Sequence, residues 1–310
     1  MLTCTLIAAA LIGQATPPTT IDALEAAHKA LPSTDGVIEY QARGPFAELV
    51  VKFVNDHGCK TGDSMRRAAL MIDGVESEFR LQRVQYELAL CAAALNDKAA
   101  KDLLPKAWDR LMVTMGQPMR LNAEGWFRPG QENYYRYEPT PTVISDVLLA
   151  RRKVAATKDN AEVQKIVDED QKVRQGDWSK FTEKQMLEIA HGDKERQKQI
   201  LKIVKDGMLS TAQDFANASL VLQHSERFDG YQLAHELAVC SLVLGDRNLG
   251  RWLTAATYDR MLRSVGHSQR FGTQYGPLGH CYTDEYAIND TERAALGCPT
   301  LEKARKTKFN

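Results

Sequence analysis

One module is written twice in this chain, and that repetition restricts the fold more than any other feature. Glu87-Leu88-Ala89-Leu90-Cys91 reads ELALC, and Glu236-Leu237-Ala238-Val239-Cys240 reads ELAVC. One helical segment further on, Asp109-Arg110 leads to Gly116 and Arg120, and Asp259-Arg260 leads to Gly266 and Arg270 at identical spacing. Upstream of each ELA run, Leu81-Gln82-Arg83 matches Leu222-Gln223-His224. Anchors that recur in the same order, about 150 residues apart, mean that one supersecondary unit is built twice. The expected architecture is therefore mainly α: two related helical modules, each followed by a loop rich in Gly, Pro and Tyr. A degenerate module is expected over 20–142 and a motif-bearing one over 143–310.

Length and charge leave this reading open and close others. The 310 residues suffice for one large or two ordinary domains. Hydrophobic residues make up 44% and charged residues 26%, as in a globular protein. Lys+Arg and Asp+Glu balance at 40 each, so no basic surplus points to nucleic acid as a partner. At the N-terminus, residues Leu6 to Ile12 are apolar, and Gly13-Gln14-Ala15 is a small-x-small pattern before Pro17-Pro18. That reads as a signal peptide over 1–15 and a periplasmic or secreted protein. The alternative, a cytoplasmic chain, stays open because the segment before the apolar run has no Lys or Arg. No later run approaches the roughly 20 apolar residues of a membrane span. Export would permit disulfides. Cys91 and Cys240 sit on apolar helix faces and read as buried thiols. Cys281 can pair with Cys298, and Cys59 is then left over or pairs with Cys91.

Apolar periodicity reads as helix along most of the chain. Thr20 to Leu31 is one such segment. Pro45 can open the next, which Gly58 ends. Met65 to Ile72, Phe79 to Leu95 and Lys98 to Met115 follow, the last kinked or divided at Pro105. Trp126 to Pro141 is aromatic loop. Val143 to Val154, Ala161 to Arg174, Glu183 to Ala190, Lys194 to Lys205, Ser210 to Leu222, Tyr231 to Leu244 and Leu249 to Val265 complete the helices. The tail from Gly272 to Pro299 reads as ordered loop or a small irregular cap.

Aligning the modules on Asp109 and Asp259 exposes an asymmetry in polar groups. Gln117 stands opposite His267, Met119 opposite Gln269, Leu121-Asn122-Ala123-Glu124 opposite Phe271-Gly272-Thr273-Gln274, and Arg83 opposite His224. Shared residues serve the frame; differing ones are candidates for chemistry, and they gather in the second module. His224 is the candidate catalytic residue, because imidazole changes charge near neutral pH and is the commonest general acid or base. Its alternative is a buried histidine satisfied by a neighbour such as Asp259. Asp170 and Arg174 stand one helical turn apart, as surface ion pairs also do. Asp259-Arg260, kept in both modules, suits a structural ion pair or cap. Arg174, Arg260 and Arg270 are candidates to hold an anionic group, and Gln269 and Gln274 to orient a substrate. Gly272 permits a tight turn, and glutamines that merely cap helix ends are the competing reading of that run. His280-Cys281 with Asp284-Glu285 lacks a recognised metal-ligand spacing, so no metal and no cofactor are expected.

The second half resembles an uncharacterised bacterial family, a domain of unknown function. The family's pattern runs Asp-Gln-x-x-Arg, Gln-His, Asp-Arg, then Gly-x-x-Gln-x-Tyr-Gly-Thr-Gln. Here those elements fall at Asp170-Gln171 with Arg174, Gln223-His224, Asp259-Arg260, and Gly266 with Gln269, Gly272, Thr273 and Gln274, with Phe271 in place of the family's Tyr. The resemblance covers roughly Ala161 to Tyr275. It implies a site and no established activity. The first half matches it only through Asp109-Arg110.

Three functions fit. One is an enzyme with a polar pocket in the second module, in which His224 exchanges protons with a small polar or anionic substrate. A second is a non-catalytic binding module using the same residues. A third is a helical-repeat scaffold for a protein partner, since Tyr86 to Met115 and Tyr231 to Val265 have the length of helical hairpins. A stacked array, however, needs about three or more repeats.

Overall fold

Five helix starts in this chain are set by side-chain caps. Thr20, Thr61, Asn160, Thr182 and Thr211 each accept a hydrogen bond from a first-turn N–H, and the three at Thr61, Thr182 and Thr211 are reciprocal capping boxes. The computed structural model describes residues 17–34, 37–73, 78–128, 135–151, 158–175, 180–246, 248–276, 279–280 and 282–306. The expected signal peptide and Cys281 lie outside them. Among the described residues there are thirteen helices, two two-residue antiparallel ladders and two isolated bridges, so the chain is mainly α. No helix among them is long and apolar enough to cross a membrane.

The chain divides into two compact units. The first holds the residues up to Pro139 together with Glu285–Ala295. The second holds Thr140–Asp284 and the residues from Leu296 onward. In chain order the first unit contributes α1 (Ile21–Lys29), β1 and β2 (Ser33–Thr34, Val37–Ile38), α2 (Tyr40–His57), α3 (Gly62–Met71), α4 (Phe79–Ala94) and α5 (Ala100–Thr114). The second contributes α6 (Thr142–Leu148), α7 (Ala161–Lys172), α8 (Glu183–Lys205), α9 (Ala212–Leu222), α10 (Phe228–Leu244), α11 (Leu249–Ser264), then β3 and β4 (Tyr275–Gly276, Gly279–His280). α12 (Asp290–Ala295) belongs to the first unit and α13 (Leu301–Lys306) to the second.

Each unit is built around its ELA helix. α4 is buried at every position from Leu81 to Ala94, and α10 at every position from Ala234 to Leu242. A helix without a polar face must be covered on all sides. In the first unit α3, α5 and α12 pack on α4; in the second α9, α11 and α6 pack on α10. Cys91 Sγ lies 3.6 Å from the Glu292 carbonyl of α12, and Cys240 Sγ lies 3.8 Å from the Ile144 carbonyl of α6. The small thiols thus sit where a short helix crosses closely. α6 follows the first unit's loop in the chain but packs in the second unit, whereas α12 follows the second unit's loop but packs in the first. The segment Glu285–Ala295, grouped by sequence with the second module, therefore lies in the first unit.

Several elements differ from the sequence expectation. α2 begins at Tyr40, so Pro45 lies inside it rather than at its start. Pro105 likewise lies within an undivided α5. The two helices expected over Glu183 to Lys205 are one 23-residue helix that passes through Gly192. The expected Val143 to Val154 helix ends at Leu148. The tail expected as loop over Gly272 to Pro299 contains α12. Leu81-Gln82-Arg83 lies in the first turn of α4, but Leu222-Gln223-His224 ends α9, so that anchor does not pair equivalent places. A three-residue match carries too little information against the helix order; counted from the capping threonines Thr61 and Thr211, Asp73 corresponds to Gln223. Cys59, Cys91, Cys240 and Cys298 are all buried.

Candidate functional site

After α5 and after α11 the chain makes the same turn for the same reason. Gly116 (φ 71°) and Gly266 (φ 84°) take the left-handed conformation that ends a helix. A buried aspartate from the last turns of each helix then collects the backbone beyond. Asp109 Oδ1 accepts from the N–H of Arg120 and Leu121, each at 2.8 Å, and Oδ2 accepts from Ala123 at 2.8 Å. Asp259 Oδ1 accepts from Arg270 at 2.6 Å and Phe271 at 3.0 Å, and Oδ2 from the Thr273 N–H at 3.0 Å and its hydroxyl at 2.7 Å. Arg120 donates to the Glu138 carbonyl at 2.8 Å and Arg270 to the Asp284 carbonyl at 2.5 Å, each clamping a returning strand. Burial raises the pKa of both aspartates, against the pull of these backbone donors. In the first unit aromatic contacts anchor the loop: Trp126 stacks on Tyr135 at 5.4 Å, and Phe127 meets Tyr137 at 5.2 Å.

This geometry places six of the candidate residues in a scaffold. The polar atoms of Asp259, Gln269, Arg270, Gly272, Thr273 and Gln274 hold the second turn together. Gln269 and Gln274 exchange side chain-to-backbone hydrogen bonds at 2.8 and 3.1 Å. Gln274 Nε2 also donates to the Ala256 carbonyl at 3.2 Å and to Thr273 Oγ1 at 2.9 Å. Gly272 supplies φ 74°. Their chemical groups face each other, which favours the capping reading of this run. Asp259 and Arg260 do not pair with one another; as consecutive residues of a helix they point about 100° apart.

The other candidates converge elsewhere in the second unit. On α7 the buried stripe Val163, Ile166, Val167 ends in Asp170, a carboxylate where the spacing calls for an apolar side chain. A buried carboxylate needs charged or hydrogen-bonding partners. Asp170 Oδ1 accepts from Arg174 Nη1 at 2.9 Å and lies 3.3 Å from Arg196 Nε; Oδ2 accepts from Gln171 Nε2 at 2.9 Å. Asp193 Oδ1 ties the same two arginines together, at 2.7 Å from Arg174 and 2.5 Å from Arg196. Burial raises the Asp170 pKa, with Arg174 drawing it back. Gly192 makes room for this knot, since a Cβ there would stand 2.9 Å from Arg196 Nη1.

His224 and Gln223 arrive from the end of α9. His224 Nε2 is 3.6 Å from Asp170 Oδ2, beyond hydrogen-bond reach, and has no hydrogen-bond partner. Its pKa is pushed down to about 3, first by burial and then by the field of Arg174 and Arg260. The imidazole is therefore neutral at pH 7. Gln223 is 4% exposed, yet its Oε1 accepts nothing. Arg260 comes from α11. Its Nε is buried without a hydrogen-bond partner, the guanidinium meets the Tyr231 hydroxyl, and burial lowers its pKa. Among the described residues, the guanidiniums of Arg174 and Arg196 pair with the carboxylates of Asp170 and Asp193, and Arg260 pairs with none. One cation is unmatched.

In the first unit the arginine at the corresponding place is paired with carboxylates. Arg110 donates from Nε to Glu124 Oε2 at 2.8 Å and from Nη2 to Oε1 at 2.6 Å, and its Nη1 is paired with Asp73. Positions equivalent to Arg110, Asp73 and Glu124 in the second unit are Arg260, Gln223 and Gln274. The arginine is retained and both carboxylates are amides.

Sequence reasoning missed Asp193, Arg196 and Tyr231. Asp193 and Arg196 have the spacing of an ordinary surface ion pair, and their one signal is the glycine beside them in mid-helix. Among the described residues no three His, Cys, Asp or Glu side chains gather as metal ligands would. No protein-family model, curated protein or solved structure matches the chain.

Proposed function

We propose that the second unit binds a small anionic substrate at Arg260, Gln223 and His224, and that His224 exchanges a proton with it. The observation that carries this reading is the unsatisfied set: a buried guanidinium nitrogen, a buried amide oxygen and an imidazole nitrogen, all without hydrogen-bond partners, in one place with surplus positive charge. Buried polar groups left without partners cost about 1–3 kcal/mol each, so a site that retains three of them is built for a ligand. Asp170 and Asp193 act as positioning residues, since they hold Arg174 and Arg196 in a fixed knot behind the imidazole.

The chemistry follows from charge. An empty site keeps His224 neutral because its neighbours are cations in a low-dielectric setting. An anion placed among those cations offsets their field and raises the proton affinity of the imidazole. His224 then becomes a base only when substrate is bound. Of the residues of the resemblance, Asp170-Gln171, Arg174, Gln223-His224 and Arg260 lie in or beside this cluster and the others build the turn, which supports membership in that family. The shared turn, with its aspartate, glycine and arginine, likewise supports descent of both units from one duplicated module.

A thermal-shift series with sodium salts of inorganic and organic anions at constant ionic strength tests the reading. Anions that bind the folded protein raise its melting temperature by mass action. The wild type is expected to respond selectively and Arg260→Gln not to respond. An equal response from both would place anion binding elsewhere. With a responding anion in hand, His224 ring signals followed by nuclear magnetic resonance should move toward the protonated form on saturation; no movement would leave a binding module without acid–base function.

A further inference from the structure

We infer that the anion is a carboxylate, held by Arg260 as the first unit holds Glu124 and Asp73 on Arg110. This deepens the anion-site reading above and rests on it. The two arginines occupy corresponding places before similar turns, each beside an aspartate that collects three backbone N–H groups of the following loop. Around Arg110 the internal partners form a planar fork against the guanidinium, with N–O distances of 2.8 and 2.6 Å to the two oxygens of one carboxylate. That is the strongest geometry available to this pair. In the second unit Gln274 does not take the place of Glu124; its amide nitrogen is turned to the Ala256 carbonyl and Thr273 Oγ1. Gln223, at the place of Asp73, brings no negative charge. The first unit is thus a closed, self-liganded version of an arrangement that the second unit leaves open. A flat two-oxygen anion fits the opening in the way Glu124 fits Arg110, whereas a tetrahedral phosphate presents its oxygens in three dimensions and has no counterpart in the closed unit.

The same comparison supplies the test. Gln223→Asp recreates the Asp73–Arg110 pair in the second unit, and Gln274→Glu recreates the Glu124 fork. Acetate, succinate and citrate on one side, and inorganic phosphate and sulfate on the other, are titrated against wild type and both variants by calorimetry, with circular dichroism to verify folding. Carboxylates are expected to bind the wild type at least about tenfold more tightly than phosphate or sulfate, and to lose at least about tenfold in affinity in either closed variant. Carboxylate binding that is unchanged in the folded closed variants would overturn the inference. Tighter binding of phosphate or sulfate than of carboxylates would overturn it too, while leaving an anion site at Arg260 intact. Binding of no anion at all would remove the anion site itself, and this inference with it. Should one closed variant fail to fold, the other decides.

Discussion

Arg110 and Arg260 begin from the same local structure and meet opposite surroundings. Both leave a helix one residue after a buried aspartate, and both precede a left-handed glycine and a clamped loop. Arg110 is enclosed by two carboxylates and stands over Trp126 at 5.7 Å. Arg260 meets a tyrosine hydroxyl and acts on a neutral histidine, with Arg174 and Arg263 as its charged neighbours. A frame shared by both units is explained by folding. A charge pattern present in only one of them is not, since folding alone is served better by the closed arrangement.

The frame is where the largest effects are expected. Asp259→Ala strands three backbone N–H groups and a hydroxyl, and should cost about 3 kcal/mol or more by urea denaturation, with Asp109→Ala somewhat less. A small loss in both would mean that the turns are held by something other than these aspartates.

His224 offers the next largest effect, and it belongs to the second unit alone. Its folded pKa of about 3 lies below its ordinary 6.5, so the unfolded chain binds a proton that the folded chain excludes. Stability from this group is complete above about pH 6.5 and is lost as pH falls toward 3, by about 2 kcal/mol after allowance for the carboxylates that titrate in the same range. His224→Asn should flatten the stability profile across that window. An unaltered profile would show that the imidazole titrates normally.

Arg110→Gln and Arg260→Gln sharpen the contrast directly. The first removes a bidentate ion pair and should destabilise by about 1–2 kcal/mol, while the second relieves an unmatched charge and should change stability by less than about 0.5 kcal/mol. Equal losses would assign Arg260 a structural partner and weaken the case for a ligand. The smallest effects should be equal in the two units. Gly116→Ala and Gly266→Ala both force a side chain into a left-handed conformation with open space around it, and each should cost about 1 kcal/mol. A marked difference would mean that the turns are less alike than their hydrogen bonds.

The polar motif was legible in the sequence, but its division into scaffold and site was not. Asp170, Arg174, Gln223, His224 and Arg260 carry the same sequence signal as Asp259, Gln269, Arg270, Thr273 and Gln274. Only the directions of their side chains separate the two groups. Asp170 does have a readable signature, a carboxylate ending an apolar stripe on α7. Arg196 has almost none, because a helical Asp-x-x-Arg is indistinguishable from solvent-exposed pairing until the helix is docked. Gly192 misleads in isolation: a glycine in mid-helix reads as a break, and here it makes space for a guanidinium.

Sequence by itself determined the elements that depend on near neighbours. Apolar spacing specified the helices, threonine caps and left-handed glycines specified their ends, and the recurrence of Asp-Arg and Gly specified that one turn occurs twice. Tertiary structure decided what depends on distant partners. It sent α12 into the first unit, drew Arg196 and Asp193 to Asp170, and left Arg260 without the carboxylates that surround Arg110. The physical reason is range: caps and periodicity act within a few residues, whereas the matching of a buried charge is settled by side chains that the chain brings together from positions far apart.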